Sequence, residues 1–196
     1  MPRPRTVDDG AILAAAVEAI GEVGPSGLTL AGVAEKVGLT APTLMQRFGS
    51  RRGLLLAVAE AGGEWAPQKF RDAMRRYPSP LKALVTALRA MTAGVSSPEA
   101  MANNLAFLQL DLSDPEFHKQ AQAQARRVRD SIAALLSDAV VAGELRPDTD
   151  TARLAEAVEA VYNGALVTWA VHRRGAVGSW VARQVETVLA PHRVAA

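Results

Sequence analysis

The chain of 196 residues contains no cysteine. A disulfide framework and a thiolate metal site are therefore excluded, and a reducing, cytoplasmic setting suits such a chain. Nor is there a charge-free apolar stretch of about 18 residues, the length that marks a membrane-spanning helix, so no membrane partner is expected. The opening residues Met1-Pro2-Arg3-Pro4-Arg5 carry positive charge with no apolar run behind it, and no secretory signal is expected from them. Histidine is scarce: His118, His172 and His192 lie far apart and lack H-E-x-x-H spacing. His172, followed by Arg173 and Arg174, reads as favourable charge at a helix C-terminus. No phosphate-cradling glycine loop and no nucleophile elbow is present. Asp111 and Asp114 lie three apart, which is simply explained if one of them caps a helix. No enzymatic activity, cofactor or metal is expected.

Excess charge of one sign is also missing. Against 20 acidic residues stand 22 basic ones, a formal net charge of +2, and that total does not require nucleic acid as a partner. The distribution is uneven, however. Arg3 and Arg5 precede the first helix, Lys36, Arg47, Arg51 and Arg52 gather in one short stretch, and Glu35 is the only acid between residues 23 and 59. A local basic patch is the electrostatic footprint of a DNA-binding face, although a solvated surface would show the same charges.

What is present is helical periodicity almost everywhere. A chain of this size removes roughly 70% of its unfolded surface from water, enough for a substantial core. Ile12, Leu13, Ala16, Val17, Ile20 and Val23 form one apolar stripe, closed by Gly24-Pro25. A short helix follows with Thr29 as N-cap and Leu30, Val33, Ala34 and Val37 facing inward; Gly38 then supplies a left-handed cap. A third helix begins with Thr40 as N-cap and Pro42 in its first turn, where a missing N–H is harmless. Leu44 and Phe48, one turn apart, point back to the core, and after Gly49 a helix capped by Ser50 carries Leu54, Leu55 and Val58. Longer helices follow: one marked by Leu81, Leu84, Val85, Leu88 and Met91, another by Met101, Leu105 and Leu108. Asp114-Pro115 opens a third with Phe117, Ala121, Val128, Ile132, Leu135 and Ala139 on one face; Gly143 and Pro147 stop it. Asp150 caps the next, which runs from Thr151 toward Arg173, and the last holds Trp180, Val181, Val185, Val188 and Leu189. The whole chain reads as all-α.

The stretch from Thr29 to Phe48 is the informative one. Two short helices meet at the tight turn Gly38-Leu39-Thr40, with a longer helix before and another after. That is a helix-turn-helix arrangement, in which the second short helix enters the major groove. Hydroxyl caps at Thr29 and Thr40 leave helix N-termini suited to a phosphate. With Leu44 and Phe48 structural, Ala41, Pro42, Thr43, Met45, Gln46 and Arg47 are left to face outward. Gln46 suits an adenine edge, and Ala41 or Thr43 a thymine methyl. Arg47, Arg51 and the Thr40 hydroxyl suit phosphates, which set register rather than specificity. Arg3 and Arg5 fit an arm reaching the backbone or minor groove. An ordinary helical hairpin would share the local pattern, so both readings stay open.

Ile12-Leu13-Ala14-Ala15-Ala16, Gly24, Leu28-Thr29-Leu30, Val33-Ala34, Val37-Gly38-Leu39-Thr40, Thr43-Leu44, Phe48 and Ser50-Arg51 together resemble the DNA-binding domain of the TetR family of bacterial repressors, over about residues 7–58. The resemblance implies an all-helical homodimer: a three-helix helix-turn-helix domain, residues 1–55, and a larger C-terminal helical domain for ligand binding and dimerisation, residues 56–196. It implies a repressor on a palindromic operator, released by a small-molecule effector of largely apolar character. Two positions depart from the family pattern. Met45 stands where members usually carry an aromatic, most often Tyr, so a phenol contact to phosphate is not available. Pro42 stands where many have a small residue such as Gly, and one backbone donor is gone. These departures keep a second reading alive, a helical small-molecule or protein-binding module without sequence-specific DNA binding.

In the C-terminal half, the helix from Thr151 is apolar around Val158, Val161, Tyr162, Ala165, Leu166, Val167, Trp169 and Val171. So wide an apolar surface needs cover on more than one side, and Gly164 and Ala165 would admit another helix closely. With the final helix it fits half of a four-helix dimer interface, as the resemblance implies; a fully buried helix of a monomer is the alternative. The resemblance also places Trp65, Leu88, Met91, Met101, Asn104, Leu105, Leu108 and Tyr162 on the helices around a ligand pocket. Apolar walls with a few polar groups are the usual form of such a site. Plain core packing explains each of these residues as well, and Met91 and Met101 fit gap fillers.

Overall fold

The computed structural model describes residues 7–194 except Ser96 and the Glu64 side chain. Arg3 and Arg5, expected in a DNA-contacting arm, lie outside the described residues. Among the described residues the chain forms nine α-helices and no strand: α1 Asp9–Gly27, α2 Leu30–Lys36, α3 Ala41–Phe48, α4 Arg51–Arg76, α5 Pro80–Met91, α6 Pro98–Ser113, α7 Pro115–Val141, α8 Thr151–His172 and α9 Val177–Leu189. No described helix is long and apolar enough to cross a membrane.

Local chemistry sets the helix starts. Asp8 Oδ1 accepts from the Ala11 amide at 2.7 Å, Thr29 Oγ1 from Gly32 at 3.0 Å and Asp150 Oδ1 from Arg153 at 3.0 Å. Each satisfies one first-turn donor, worth about 1 kcal/mol. Gly38, φ 68°, ends α2 in the left-handed region that a side chain resists. Gly24, φ 70° and ψ 170°, breaks α1 before Pro25, as the Gly24-Pro25 signal predicts, and one further helical turn follows to Gly27.

One compact unit runs to Gly62 and takes in Ala102–Ala121. Ile12, Ala16 and Ile20 of α1, Leu28, Val33 of α2, Leu44 of α3 and Leu54 of α4 bury their side chains together. Phe117, from the start of α7, joins this same core and meets Phe107 edge-on at 6.1 Å. The expected α1 stripe is only partly inward. Val17 and Val23 are exposed. Val17 lies some 140° round the helix from Ile12 at about 100° per residue, and Val23 sits where Gly24 turns the chain away.

The other unit comprises Gly63–Met101 and Gln122–Ala196. Its core draws on Leu81, Leu84 and Leu88 of α5, Ile132 and Leu136 of α7, Val158 and Trp169 of α8, and Val181 and Val185 of α9. Glu144 ties the loop after α7 to the start of α5, its carboxylate accepting from the Leu81 amide at 2.9 Å. On α8, Val158, Tyr162, Ala165, Leu166 and Trp169 are buried. Ala157, Ala160, Gly164, Val167, Thr168 and Val171 are exposed on another side, Val171 at 73%.

Candidate nucleic-acid interface

Leu44 is fully buried and Phe48 packs against the same core, so α3 has one possible rotation about its axis. Burying one leucine is worth about 2 kcal/mol, enough to fix that choice. Pro42, Met45, Gln46 and Arg47 consequently stand exposed, Met45 at 51%, with Ala41 and Thr43 half-covered at the helix start. All six outward positions expected of α3 are therefore on its accessible side. The Thr40 hydroxyl caps no amide; it pairs with the Thr43 hydroxyl at 3.0 Å, while the Thr43 amide donates to the Thr40 carbonyl at 3.0 Å. Thr29 differs, its oxygen being engaged in the α2 cap.

The basic patch is more heavily partnered than its sequence indicates. Arg47 donates to the Val7 carbonyl at 2.6 Å and to Asp9 at 3.1 Å. Arg51 donates to the Pro25 carbonyl at 2.8 Å, closing the chain end that the Gly24 break leaves open. Arg52 holds Asp114 at 2.9 Å and Glu116 at 2.6 Å and lies 5.6 Å from the Phe117 ring centroid. The Asp114 hydrogen bond raises the Arg52 pKa, and Arg52 in turn holds the Asp114 carboxyl below its usual range. Asp114 also accepts from the Glu116 amide at 3.0 Å, the capping role expected of one carboxylate in this pair. Lys36 meets Glu22 at 2.9 Å and Glu18 at 3.7 Å, and the Glu22 hydrogen bond raises its pKa. Exposed pairs of this kind are worth up to about 1 kcal/mol and exchange readily for a phosphate.

Asn103 of α6 was not singled out by any motif, yet it belongs to this framework. Its amide donates to the Gly21 carbonyl at 2.9 Å. A Cβ at Gly24 would lie 2.9 Å from its Oδ1, so glycine at the break serves both the backbone angle and the approach of Asn103. The only sequence signal here is the glycine.

The eight residues named for a ligand pocket do not share one unit. Leu88, Met101 and Tyr162 lie in the core of the unit holding α5, α8 and α9, with Met91 packed against it. Burial pushes the Tyr162 phenol pKa up, so the hydroxyl stays neutral. Trp65 is 45% exposed in that unit, with Lys69 Nζ 5.3 Å from its ring centroid. Asn104, Leu105 and Leu108 belong to the other unit, where Leu105 and Leu108 are exposed. Two surface grooves stand out. One of about 280 Å³ is lined by Ser79, Lys82, Thr86, Arg89, Glu186 and Arg193, and one of about 170 Å³ lies between α1 and α2; neither touches those eight residues. Among the described residues no group of three or more His, Asp or Glu side chains is gathered as for a metal ion.

Residues 12–58 match the family described as bacterial regulatory proteins, tetR family. Residues 80–190 match the BetI-type transcriptional repressor C-terminal family, which alone covers more than half of the chain. Similar solved structures include a TetR-family transcriptional regulator from Cytophaga hutchinsonii, 16% identical over 95% of each chain with a TM-score of 0.75. The fatty acid degradation regulator FadR from Bacillus halodurans is 16% identical over 95% of this chain and 100% of its own, TM-score 0.72. SmeT, the repressor of the Stenotrophomonas maltophilia multidrug efflux pump SmeDEF, is 20% identical over 96% of this chain and 92% of its own, TM-score 0.69. Identities this low bear on the fold alone. No curated protein sequence matches the chain. Both family matches are to regulators, and with the helix-turn-helix geometry of α2 and α3 they identify the chain as a member of the TetR family of bacterial transcriptional regulators.

Proposed function

We propose that this regulator is a repressor that binds a palindromic operator as a homodimer and is released by a small-molecule effector. The observation that carries the reading is the α3 face: Leu44 is anchored while Pro42, Met45, Gln46 and Arg47 are exposed together. Two copies of α3 would enter successive major grooves about 34–36 Å apart, one helical turn of DNA. Gln46 would read base edges. Arg47, Arg51 and the hydroxyls of Thr40 and Thr43 would meet phosphates, with Thr29, Ala41, Pro42 and Met45 lining the approach and Arg3 and Arg5 supplying the arm.

The homodimer reading is supported by the exposed small and apolar side of α8, Ala157, Ala160, Gly164, Val167 and Val171, on which a second copy with its own α8 and α9 would pack. For the effector, the apolar side chains Leu88, Met91, Met101 and Tyr162, which lie together in one unit, suit an apolar ligand, with Trp65 a further candidate in that unit. Such a ligand acts by preferring the DNA-incompetent state, since only differential affinity moves the equilibrium.

A second reading has one observation in its favour: Lys36, Arg47, Arg51 and Arg52 already hold partners within their own unit. That suits a helical ligand-binding or protein-binding module lacking sequence-specific DNA recognition. Selection of bound duplexes from a random pool, followed by salt titration of the winner, separates the two. Enrichment of a palindrome with a steep salt slope is expected. Failure to enrich any duplex at low salt, with folded dimeric protein, would favour the module.

A further inference from the structure

Helix α4 runs unbroken from Arg51 to Arg76 although it contains Gly62, Gly63 and Pro67. In an α-helix the carbonyl of Gly63 would accept from the amide of residue 67, and proline has none to give. A different donor comes to that carbonyl. Arg127, on α7, points its Nε–H at the Gly63 oxygen, 2.9 Å away. Glycine is what makes the approach possible: a Cβ at Gly63 would collide with Arg127 Nη2 and lie 2.9 Å from Cζ. Two residues further along, Arg129 is committed to Glu159, but Arg127 is half-buried and makes no ion pair among the described residues. The guanidinium is directed at a backbone oxygen. Gly63 and Arg127 belong to the same compact unit.

We propose that Arg127 is a positioning residue that stands in for the missing Pro67 amide and sets how stiff α4 is around Gly63. With the guanidinium seated, the Gly63 carbonyl keeps a donor. Once it is withdrawn, two glycines and a proline within one and a half turns leave α4 ready to bend, because such residues are where helices kink. The inference concerns α4 itself and holds whether or not the chain recognises an operator.

The test is amide hydrogen exchange and thermal unfolding on the full chain. Arg127→Met keeps the side-chain stem and removes the donor; exchange of the α4 amides from Ala66 to Phe70 should quicken about tenfold, the effect of losing one partly buried hydrogen bond. In a Pro67→Ala background, where the backbone amide returns, the same substitution should change exchange less than about twofold. Gly63→Ala alone displaces the guanidinium and should lower the melting temperature. Combined with Arg127→Met its effect should change sign, because alanine then only improves the helix. Equal acceleration in both backgrounds, or a Gly63→Ala penalty that survives removal of Arg127, overturns the proposal. Should Arg127→Met fail to fold, Pro67→Ala must rescue it, and failure of that rescue overturns the proposal equally.

Discussion

Helices α3 and α8 both bury one side and expose another, but what they expose differs in kind. On α3 the buried Leu44 leaves Gln46, Arg47, Pro42 and Met45 outside, a face on which a hydrogen-bonding and a charged group stand beside two apolar ones. On α8 the buried Val158, Tyr162 and Trp169 leave Ala157, Ala160, Gly164, Val167 and Val171 outside, a mostly small and apolar face whose Thr168 hydroxyl is turned to the Gly164 carbonyl. A polar face in water costs nothing and can later exchange its water for base edges and phosphates. An apolar face in water is unfavourable by roughly 25 cal/mol per Å², so it favours whatever covers it. The same fold thus carries two surfaces of different solvation character.

The largest effect should come from the anchor of α3. Leu44→Ala removes a fully buried side chain and should cost about 3 kcal/mol of stability, while Met45→Ala, one residue along and exposed, should stay within about 0.5 kcal/mol. Denaturant unfolding of both variants checks the contrast, and comparable losses would mean that the two faces of α3 are not distinct. Next comes α8. Val167→Glu places a charge in the centre of its exposed apolar side and should weaken self-association by about thirtyfold, roughly 2 kcal/mol, without changing the fold of the single chain. Sedimentation over a concentration series reads this directly; an unaltered dimer would move the contact away from α8.

Two smaller effects sharpen the α3 side. Gln46→Ala should relax base preference at one operator position by about 1 kcal/mol while leaving affinity for unrelated duplexes unchanged. Asp9 is the competitor for Arg47, at 3.1 Å. If Arg47 exchanges that carboxylate for a phosphate, Asp9→Asn should tighten binding about two- to threefold on every duplex and steepen the salt slope. Loss of affinity on Asp9→Asn would instead show that the Arg47–Asp9 pair holds α3 in place.

Much of this was legible in the sequence because it is local. Thr29 and Asp150 cap where their side chains predict, and Leu30, Val33, Leu44, Val181 and Val185 face the cores their 3.6-residue spacing indicates. What was not legible depends on partners far away in the chain. Periodicity marks Phe117 as inward-facing but not that it joins the core of α1–α4, because it records a face and not a neighbour. Arg51 and Arg52 read as phosphate ligands or free charge, yet one closes the Pro25 carbonyl and the other grips Asp114, 62 residues away. Thr40 occupies the N-cap position with its hydroxyl turned to Thr43, since that partner lies within the same helical turn and competes with the backbone. Asn103 carries no motif at all, and only the geometry at Gly24 reveals it.

The smallest expected effect lies on α6 and separates two carboxylates three residues apart. Burial pushes the Asp111 carboxyl up to about 6, opposed by the charge of His118, whose ring Nδ1 lies 3.1 Å from the Asp111 carbonyl oxygen. The folded chain therefore holds this proton more tightly than the unfolded one, for which 3.8 is the ordinary value. Its contribution to stability is full below that ordinary value and is lost as the pH rises toward 6. Asp114 has the opposite sign: Arg52 lowers its pKa, so its contribution is present above the ordinary carboxylate range and is lost on acidification. Asp111→Asn should accordingly flatten the decline in stability between about pH 4 and pH 6 while leaving the acid-side loss intact, and Asp114→Asn should do the reverse. Unfolding midpoints measured across pH 3–7 distinguish them. A decline between pH 4 and 6 that persists unchanged in Asp111→Asn would mean that burial of this carboxyl is not its source.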